Sequence, residues 1–211
     1  QSAFIGQAKT EPKNWLEPMQ VESWGYRRKA RLGVRYVAKK EKVLVGFRER
    51  KSSFITVMSR CEVLHPSLGD NLEIIADCIG KLSIREHIPQ IEAAISESHT
   101  ILILRHLQPL TEADEAILKK CGERVSITWY TQSGGLDTIK PLIGAVTLTY
   151  SIPDHKIEME FLPNDFTQVN FALNQKMINL AIELLELNDQ DSVLDLFCGL
   201  GNFTLPISKY V

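Results

Sequence analysis

The sequence lacks the features that mark membrane-spanning and secreted proteins. No apolar run approaches the roughly 18 residues that cross a bilayer, and residues 1–15 contain no apolar core of a signal peptide. The 4 cysteines lie far apart without a CxxC pair, and the 5 histidines show neither HxxxH nor HxH spacing. These absences exclude a disulfide scaffold and a histidine metal site. We therefore expect a cytoplasmic protein with reduced thiols, no membrane contact and no evident obligate protein partner.

A large net charge is also missing, but the net charge of -2 hides an asymmetry along the chain. Residues 1–60 contain 14 Lys/Arg and 5 Asp/Glu, whereas residues 61–211 contain 10 Lys/Arg and 21 Asp/Glu. Segment 27–51 alone holds 11 Lys/Arg and 2 acids. Because cations placed near phosphates release counterions, this segment predicts a polyanionic partner such as RNA. The alternative is a solvated sheet face without a ligand.

Alternating apolar residues predict that this basic segment forms a β-hairpin. Residues 30–38 and 43–47 are the two predicted strands, and 54–58 is predicted to be a third short strand. Side chains two residues apart share a face of a strand, so Arg31 and Arg35 should lie on one face. Guanidinium groups bind phosphates and stack on unpaired bases. The predicted RNA contacts are Arg27, Arg28, Lys29, Arg31, Arg35 and Arg48.

A mixed α+β pattern continues to residue 163, which predicts a central domain over 24–163 after an N-terminal arm over 1–23. Thr111 and Asp114 resemble a capping box at the start of a helix, and Gly122 occupies the expected C-cap position. The predicted elements are a helix over 67–82, paired strands over 88–96 and 101–106, the capped helix, a strand over 125–130, and a hairpin over 146–151 and 156–161.

After Pro163 the pattern changes to that of a nucleotide-binding α/β fold. A long amphipathic helix is predicted over 170–187, followed by an apolar parallel-type strand over 192–197 and a glycine turn. This strand would have no partner in a chain that ends at Val211, so we expect the sequence to be a piece of a longer protein. We assign 164–211 as the truncated start of a Rossmann-like domain, which makes the overall fold class α/β.

The glycine turn is the strongest local signal of a ligand site. Asp195 lies on the apolar strand, and Gly199 and Gly201 let backbone approach a ligand at its end. Thr204 stands where a dinucleotide fingerprint needs its third glycine. The pattern therefore favours the adenosylmethionine site of a class I methyltransferase, which cradles no phosphate. The alternative is a tight strand–helix turn that binds nothing.

Several longer motifs together resemble one family. These motifs are WGYRRKARL at 24–32, VGFRERKSS at 45–53, SRCEVLHP at 59–66, NDFTQVNFALNQKM at 164–177 and VLDLFCGLGNFTLP at 193–206. Through them the sequence is similar to the RNA uracil-5-methyltransferases, and within that family to the branch that acts on 23S rRNA. The resemblance covers nearly the whole chain but only the middle of that family. The family's catalytic cysteine and glutamate belong to a downstream part, so no catalytic residue is expected in this chain.

The resemblance assigns roles to particular residues. It implies adenosylmethionine contacts from Gln168, Phe197 and Asn202, and a contact of Phe166 with the flipped uracil or neighbouring RNA. The alternatives are that Phe197 and Phe166 are core residues and that Gln168 is a polar residue at a helix start, which for Gln168 would be the interpretation without the family. Cys61 matches the fourth ligand of a [4Fe–4S] cluster whose other three cysteines lie upstream. Because such a cluster takes four thiolates, this chain alone should not assemble one.

Three functions fit these observations. The first is a fragment, itself inactive, of an adenosylmethionine-dependent enzyme that forms 5-methyluridine in 23S rRNA. The second is the tRNA-directed relative, which lacks the cluster and is therefore disfavoured by a cysteine at position 61. The third is a non-catalytic RNA-binding module.

Overall fold

A computed structural model describes residues 6–7, 9–10 and 12–211. Residues 1–5, 8 and 11 of the predicted N-terminal arm lie outside the described residues. The described stretch 12–23 forms neither an α-helix nor a strand, as expected for an extended connector that contains prolines.

A six-stranded sheet forms the centre of the molecule, with strand order β2-β1-β3-β4-β5-β6. Strands β4 and β5 are parallel, and every other neighbouring pair is antiparallel. The strands are β1 (Lys29–Val37), β2 (Lys42–Gly46), β3 (Gln90–Ile95), β4 (Thr100–Arg105), β5 (Thr128–Gln132) and β6 (Lys140–Pro141). The predicted basic hairpin is therefore confirmed as β1–β2, at one edge of the sheet.

Two layers cover the two faces of this sheet. One contains α1 (Pro66–Gly69), α2 (Leu72–Gly80) and α3 (Glu112–Val125), and the other contains the hairpin β7 (Leu148–Ile152) and β8 (Ile157–Phe161) with α4 (Phe171–Leu185). A four-residue helix, α5 (Thr204–Ile207), packs beside α4. No helix among the described residues is long and apolar enough to cross a membrane.

Strand β4 explains why both layers are needed. Its side chains alternate between the faces, so Leu102 and Leu104 join the core with α2 and α3, while Ile101 and Ile103 join the core with β7, β8 and α4. All four are buried. An apolar strand of this kind is stable only when both of its faces are covered.

Two predicted helix boundaries were wrong, and the glycine near each of them is closely packed against backbone. The helix predicted over 67–82 is divided into α1 and α2, and a Cβ on Gly69 would lie 2.4 Å from the Cys61 carbonyl oxygen. Gly122 does not end its helix, which continues until Ser126 adopts the left-handed conformation at φ 55°. Gly122 is needed instead for close approach, since a Cβ there would lie 2.4 Å from the Ile127 carbonyl oxygen.

Two predicted strands do not form. Of residues 54–58, only Ile55 pairs, in a single antiparallel bridge with Arg48. Residues 192–197 form neither a helix nor a strand, and Leu194 and Leu196 are exposed. The described chain brings no second parallel strand beside this segment, so its backbone has no ladder to join.

The predicted capping box at the start of α3 is confirmed and does more than cap the helix. The buried carboxylate of Asp114 accepts hydrogen bonds from the backbone N–H and hydroxyl of both Thr111 and Ser83, at 2.7–3.0 Å. Ser83 follows α2, so one carboxylate joins α3 to the end of α2. Burial alone would raise the pKa of Asp114, but these hydrogen bonds outweigh it and lower the pKa to about 2.

Replacing Asp114 should therefore reveal a pH-dependent contribution to stability. The carboxyl has a lower pKa in the folded chain than in the unfolded one, so its stabilisation is present at neutral pH and is lost as the pH falls from about 4 towards 2. We expect Asp114→Asn to lower the free energy of unfolding by about 2 kcal/mol at pH 7. Urea unfolding curves at pH 7 and pH 3 measure this difference.

Glu112→Gln is the matched control, because Glu112 is exposed in the first turn of the same helix. The control should change stability by less than about 0.5 kcal/mol. A difference for Asp114→Asn that did not shrink towards acid pH would contradict the role of the ionised carboxylate.

Candidate functional site

The glycine turn after residue 195 exposes an aromatic ring in a strained backbone position. Phe197 has φ 64° and its side chain is fully exposed. A non-glycine residue in this region costs on the order of 1 kcal/mol, and such strain concentrates at functional sites. Gly199 and Gly201 also have positive φ, and a Cβ on Gly199 would meet nothing within 4 Å. In this chain the turn therefore presents open backbone beside an uncovered ring.

Asn202 ties this turn to the rest of the molecule. Its amide exchanges two hydrogen bonds with the amide of Asn174 in α4, at 2.8 and 2.9 Å. The Tyr150 hydroxyl of β7 donates to the same Asn202 oxygen at 3.1 Å. Asn174 is buried, and burial raises the pKa of Tyr150. The side chain of Asn202 thus fastens the turn, with one of its two N–H groups bonded to Asn174.

The second predicted ligand segment runs into the start of α4. Asn170 caps this helix by accepting a hydrogen bond from the Leu173 N–H at 3.0 Å. Just before it, Gln168 is half-buried and Phe166 is 80% exposed, so Phe166 is not a core residue. Gln168 lies two residues before the N-cap of α4. Asn202 bonds to Asn174 near the start of the same helix. The structure therefore brings the two predicted cofactor segments to one place.

The basic residues divide into an outward and an inward group. Arg31, Arg35 and Arg48 are all exposed. The Arg31 guanidinium also forms an ion pair with the Glu92 carboxylate at 3.0 Å. Arg27 is half-buried. Its backbone N–H donates to the Val63 carbonyl, and its carbonyl accepts a hydrogen bond from the His65 N–H. Arg31 and Arg35 share one face, as predicted from strand alternation.

Arg28 and Lys29 point into the protein. The Arg28 guanidinium lies 4.9 Å from the centre of the Phe171 ring and donates to the Ser96 carbonyl at 2.6 Å. The Lys29 ammonium donates to the carbonyl oxygens of Pro163 and Asp165. Desolvation lowers the pKa of both cations. Both side chains make contacts within the protein. The motif at 24–32 did not indicate that these two cations would be used internally.

Cys61 is half-buried before α1, and its backbone N–H donates to the Gly69 carbonyl at 3.1 Å. In the described part of the chain, no group of three or more His, Cys, Asp or Glu side chains could hold a metal. Cys78 and Cys121 are buried between α2 and α3, as predicted for small core residues. The hydrogen bond with Cys121 and burial raise the pKa of the Cys78 thiol.

Sequence reasoning missed the residues that support the site. Tyr150 lies outside the quoted motifs, and Asn174 lies inside the 164–177 motif without a role that the motif indicates, because the contacts with Asn202 join residues that are 52 and 28 positions apart. Arg85 is likewise unmarked, yet its guanidinium lies 4.8 Å from the centre of the Tyr36 ring on β1. Besides its place in the 164–177 motif, Asn174 is marked by its spacing of four residues from the capping Asn170, which places both on one helix face.

Comparisons with known proteins show what this chain is similar to. A family model described as tRNA (Uracil-5-)-methyltransferase matches residues 138–211. A protein of Vesicomyosocius okutanii named 23S rRNA (uracil(1939)-C(5))-methyltransferase RlmD is 66% identical over 207 residues, covering 98% of this chain and 47% of that protein. The protein of the same name from Nitrosococcus oceani is 50% identical over 200 residues, covering 94% and 44%. The chain spans about half the length of the curated relatives it matches.

The fold also has a solved counterpart. The crystal structure of Pyrococcus abyssi tRNA (uracil-54, C5)-methyltransferase in complex with S-adenosyl-L-homocysteine matches with a TM-score of 0.64 and 16% identity, covering 89% of this chain and 47% of that one. At this identity the likeness concerns the fold alone. Because 66% of the aligned residues are identical to one curated relative along nearly the whole chain, the chain belongs to the RNA uracil-5-methyltransferase family.

Proposed function

We propose that this chain is the central segment of an enzyme that methylates C5 of a uridine in 23S rRNA with adenosylmethionine as methyl donor. The observation that carries this proposal is the 66% identity over 98% of the chain to a protein named as a 23S rRNA uracil methyltransferase. Such an enzyme meets its RNA in the cytoplasm. The tRNA-directed alternative has less support, because the curated relatives at 66% and 50% identity both carry the 23S rRNA name.

The residues at the N-terminal end of α4 suit adenosylmethionine. Phe197 offers an uncovered ring for the adenine or the chain that bears the sulfonium, and Gln168 offers an amide donor and acceptor. Asn202 holds the glycine turn in place and keeps one N–H group for the ligand. When bound, adenosylmethionine supplies an electrophilic methyl group on its sulfonium. This chain's own part is to bind and orient that group.

The remaining chemistry belongs to residues that the resemblance places downstream. In the family, a cysteine thiolate adds to C6 of the uracil, C5 takes the methyl group, and a carboxylate then removes the C5 proton before the thiolate leaves. Phe166, exposed one residue before the buried Thr167, is suited to contact a base that has left its stack.

Cys198 lies beside the turn but is not assigned the role of that nucleophile. It is exposed, and its thiol donates to the Gly199 carbonyl at 3.7 Å. A nucleophilic cysteine is activated by an adjacent base or by a lowered pKa, whereas this thiol contacts a backbone carbonyl. The resemblance also places the nucleophile downstream of position 198.

The outward face of β1 is suited to a phosphate backbone. Arg31 and Arg35 share this face, and Arg48 lies in the segment that follows β2. Arg35 is the cleaner probe, because the charge of Arg31 is already partly balanced by Glu92. This face supports the proposal of 23S rRNA as the partner, and it is equally what a non-catalytic RNA-binding module would show. Methyl transfer by the full-length protein distinguishes the two functions.

Removing a cation from this face should flatten the salt dependence of RNA binding. For Arg35→Ala, we expect the slope of log K against log salt to fall by about 0.7 for a single-stranded RNA. Affinity should weaken alike for unrelated sequences, because phosphate contacts carry no sequence information. Fluorescence anisotropy titrations at several salt concentrations measure the slope. Lys120→Ala, an exposed cation on α3, is the control, and an equal slope for Arg35→Ala and the control would refute the phosphate contact.

The two sides of the cofactor site should respond differently to mutation. In the full-length protein, Phe197→Ala should weaken adenosylmethionine binding about tenfold with little loss of stability, because the ring is exposed in the described chain. Asn202→Ala should weaken binding and also lower the free energy of unfolding by about 1–3 kcal/mol, because it leaves the buried Asn174 amide unpaired. Calorimetric titration and urea unfolding provide the two measurements.

Phe54→Ala is the control for Phe197→Ala, since Phe54 is 65% exposed and lies outside the turn. The control should bind adenosylmethionine like the wild type. If Phe197→Ala also bound it with unchanged affinity, Phe197 would have to be removed from the cofactor site.

Cys61 should matter for iron only when the upstream cysteines are present. We expect the purified 211-residue chain to contain no stoichiometric iron, because it contributes one of the four thiolates that a cluster needs. In the full-length protein, Cys61→Ser should abolish the iron–sulfur absorbance, whereas Cys78→Ser should retain it. Iron and sulfide analysis with visible spectra measures both, and retention of the cluster in Cys61→Ser would disprove the ligand assignment.

A further inference from the structure

Lys29 is the first residue of the basic strand β1, yet its side chain is held inside the protein. Its ammonium donates hydrogen bonds to the carbonyl oxygens of Pro163 at 2.7 Å and Asp165 at 2.5 Å. These acceptors are 134 and 136 residues away in sequence. Two of the three N–H donors of the ammonium are therefore used by one short backbone segment.

That segment carries two residues of the proposed site. Phe166 follows Asp165 directly, and Gln168 lies two residues further on. At its far end, the Val169 carbonyl accepts a hydrogen bond from the Arg28 backbone N–H at 3.0 Å. Two consecutive residues, Arg28 and Lys29, thus hold the segment at both ends, with Phe166 and Gln168 between the two attachments.

The charge environment explains why a lysine can remain there. Desolvation lowers the pKa of Lys29, while Glu92 and Asp165 raise it. The Asp165 carboxylate also accepts a hydrogen bond from the Leu162 N–H at 2.7 Å, which closes the turn that Lys29 binds. The ammonium is paired with carbonyl dipoles and nearby acids, so it has little remaining capacity for a phosphate.

We propose that Lys29 is a positioning residue for Phe166 and Gln168, and not a phosphate ligand. It holds the segment that precedes α4 in the conformation that presents the exposed Phe166 ring on one side and the Gln168 amide at the start of α4. This inference rests on the proposed function for what Phe166 and Gln168 contact. The anchoring of the segment by Lys29 stands on the hydrogen bonds alone.

Local proteolysis tests the anchoring without any methyl transfer. In the full-length protein, Lys29→Met keeps most of the apolar stem and removes the donors. We expect chymotrypsin to cleave after Phe166 at least about fivefold faster in Lys29→Met than in the wild type, with cleavage after the exposed Phe54 unchanged. Lys40→Met, an exposed lysine of the same basic segment, is the matched control and should match the wild type. Lys29→Arg should restore slow cleavage at Phe166.

Kinetics then separate positioning from RNA binding. Lys29→Met should lower kcat for methyl transfer about tenfold or more, with KM for RNA within about twofold and an unchanged salt slope. An increase in KM with a flatter salt slope and wild-type cleavage at Phe166 would identify Lys29 as a phosphate ligand and overturn the inference. Faster cleavage after both Phe166 and Phe54 would show a general loss of stability and would overturn it too.

The proposed function fails separately. Suppose that the wild-type protein transfers no methyl group while Lys29→Met still speeds cleavage only after Phe166. That result would support the anchoring by Lys29 and refute the methyltransferase assignment.

Discussion

Strand β4 is buried on both faces, and most of the architecture follows from that requirement. Its sequence, TILILR, places leucines on one side of the sheet and isoleucines on the other, and all four are buried. A strand of this composition needs a layer on each side. The helices α2 and α3 supply one layer, while β7, β8 and α4 supply the other. The candidate site therefore lies on the second layer, because α4 is part of the core and also adjoins both predicted ligand segments.

A small number of polar contacts hold the glycine turn against the second layer. Asn174 and Tyr150 lie at the border of the core around Phe161 and Phe171, and their polar atoms meet at Asn202. A buried amide without partners costs about 1–3 kcal/mol, so this reciprocal pairing favours one position for the turn. The glycine turn can then expose a ring and open backbone without losing its place on the body of the protein.

Local patterns predicted those elements whose stability is mostly local or whose apolar face is unambiguous. The hairpin β1–β2, the capped helix α3, the hairpin β7–β8 and the long helix α4 all form near their predicted positions. The pattern failed where a partner outside the segment decides the outcome. Residues 192–197 have the composition of a buried strand, but a strand needs a neighbour to bond with, and the described chain provides none there.

The amino-acid order alone predicted the fold class and, through motifs that resemble a known family, the family and the candidate residues of the two ligand segments, because periodicity and motifs are local properties of a chain. The use of the basic residues depends instead on tertiary contacts. Arg28 and Lys29 belong to the same charged run as Arg31 and Arg35, yet the first two are turned towards Phe171 and the segment before α4. Charge along a sequence does not specify which side chains will be covered. That depends on which distant carbonyls and rings the fold brings against the strand.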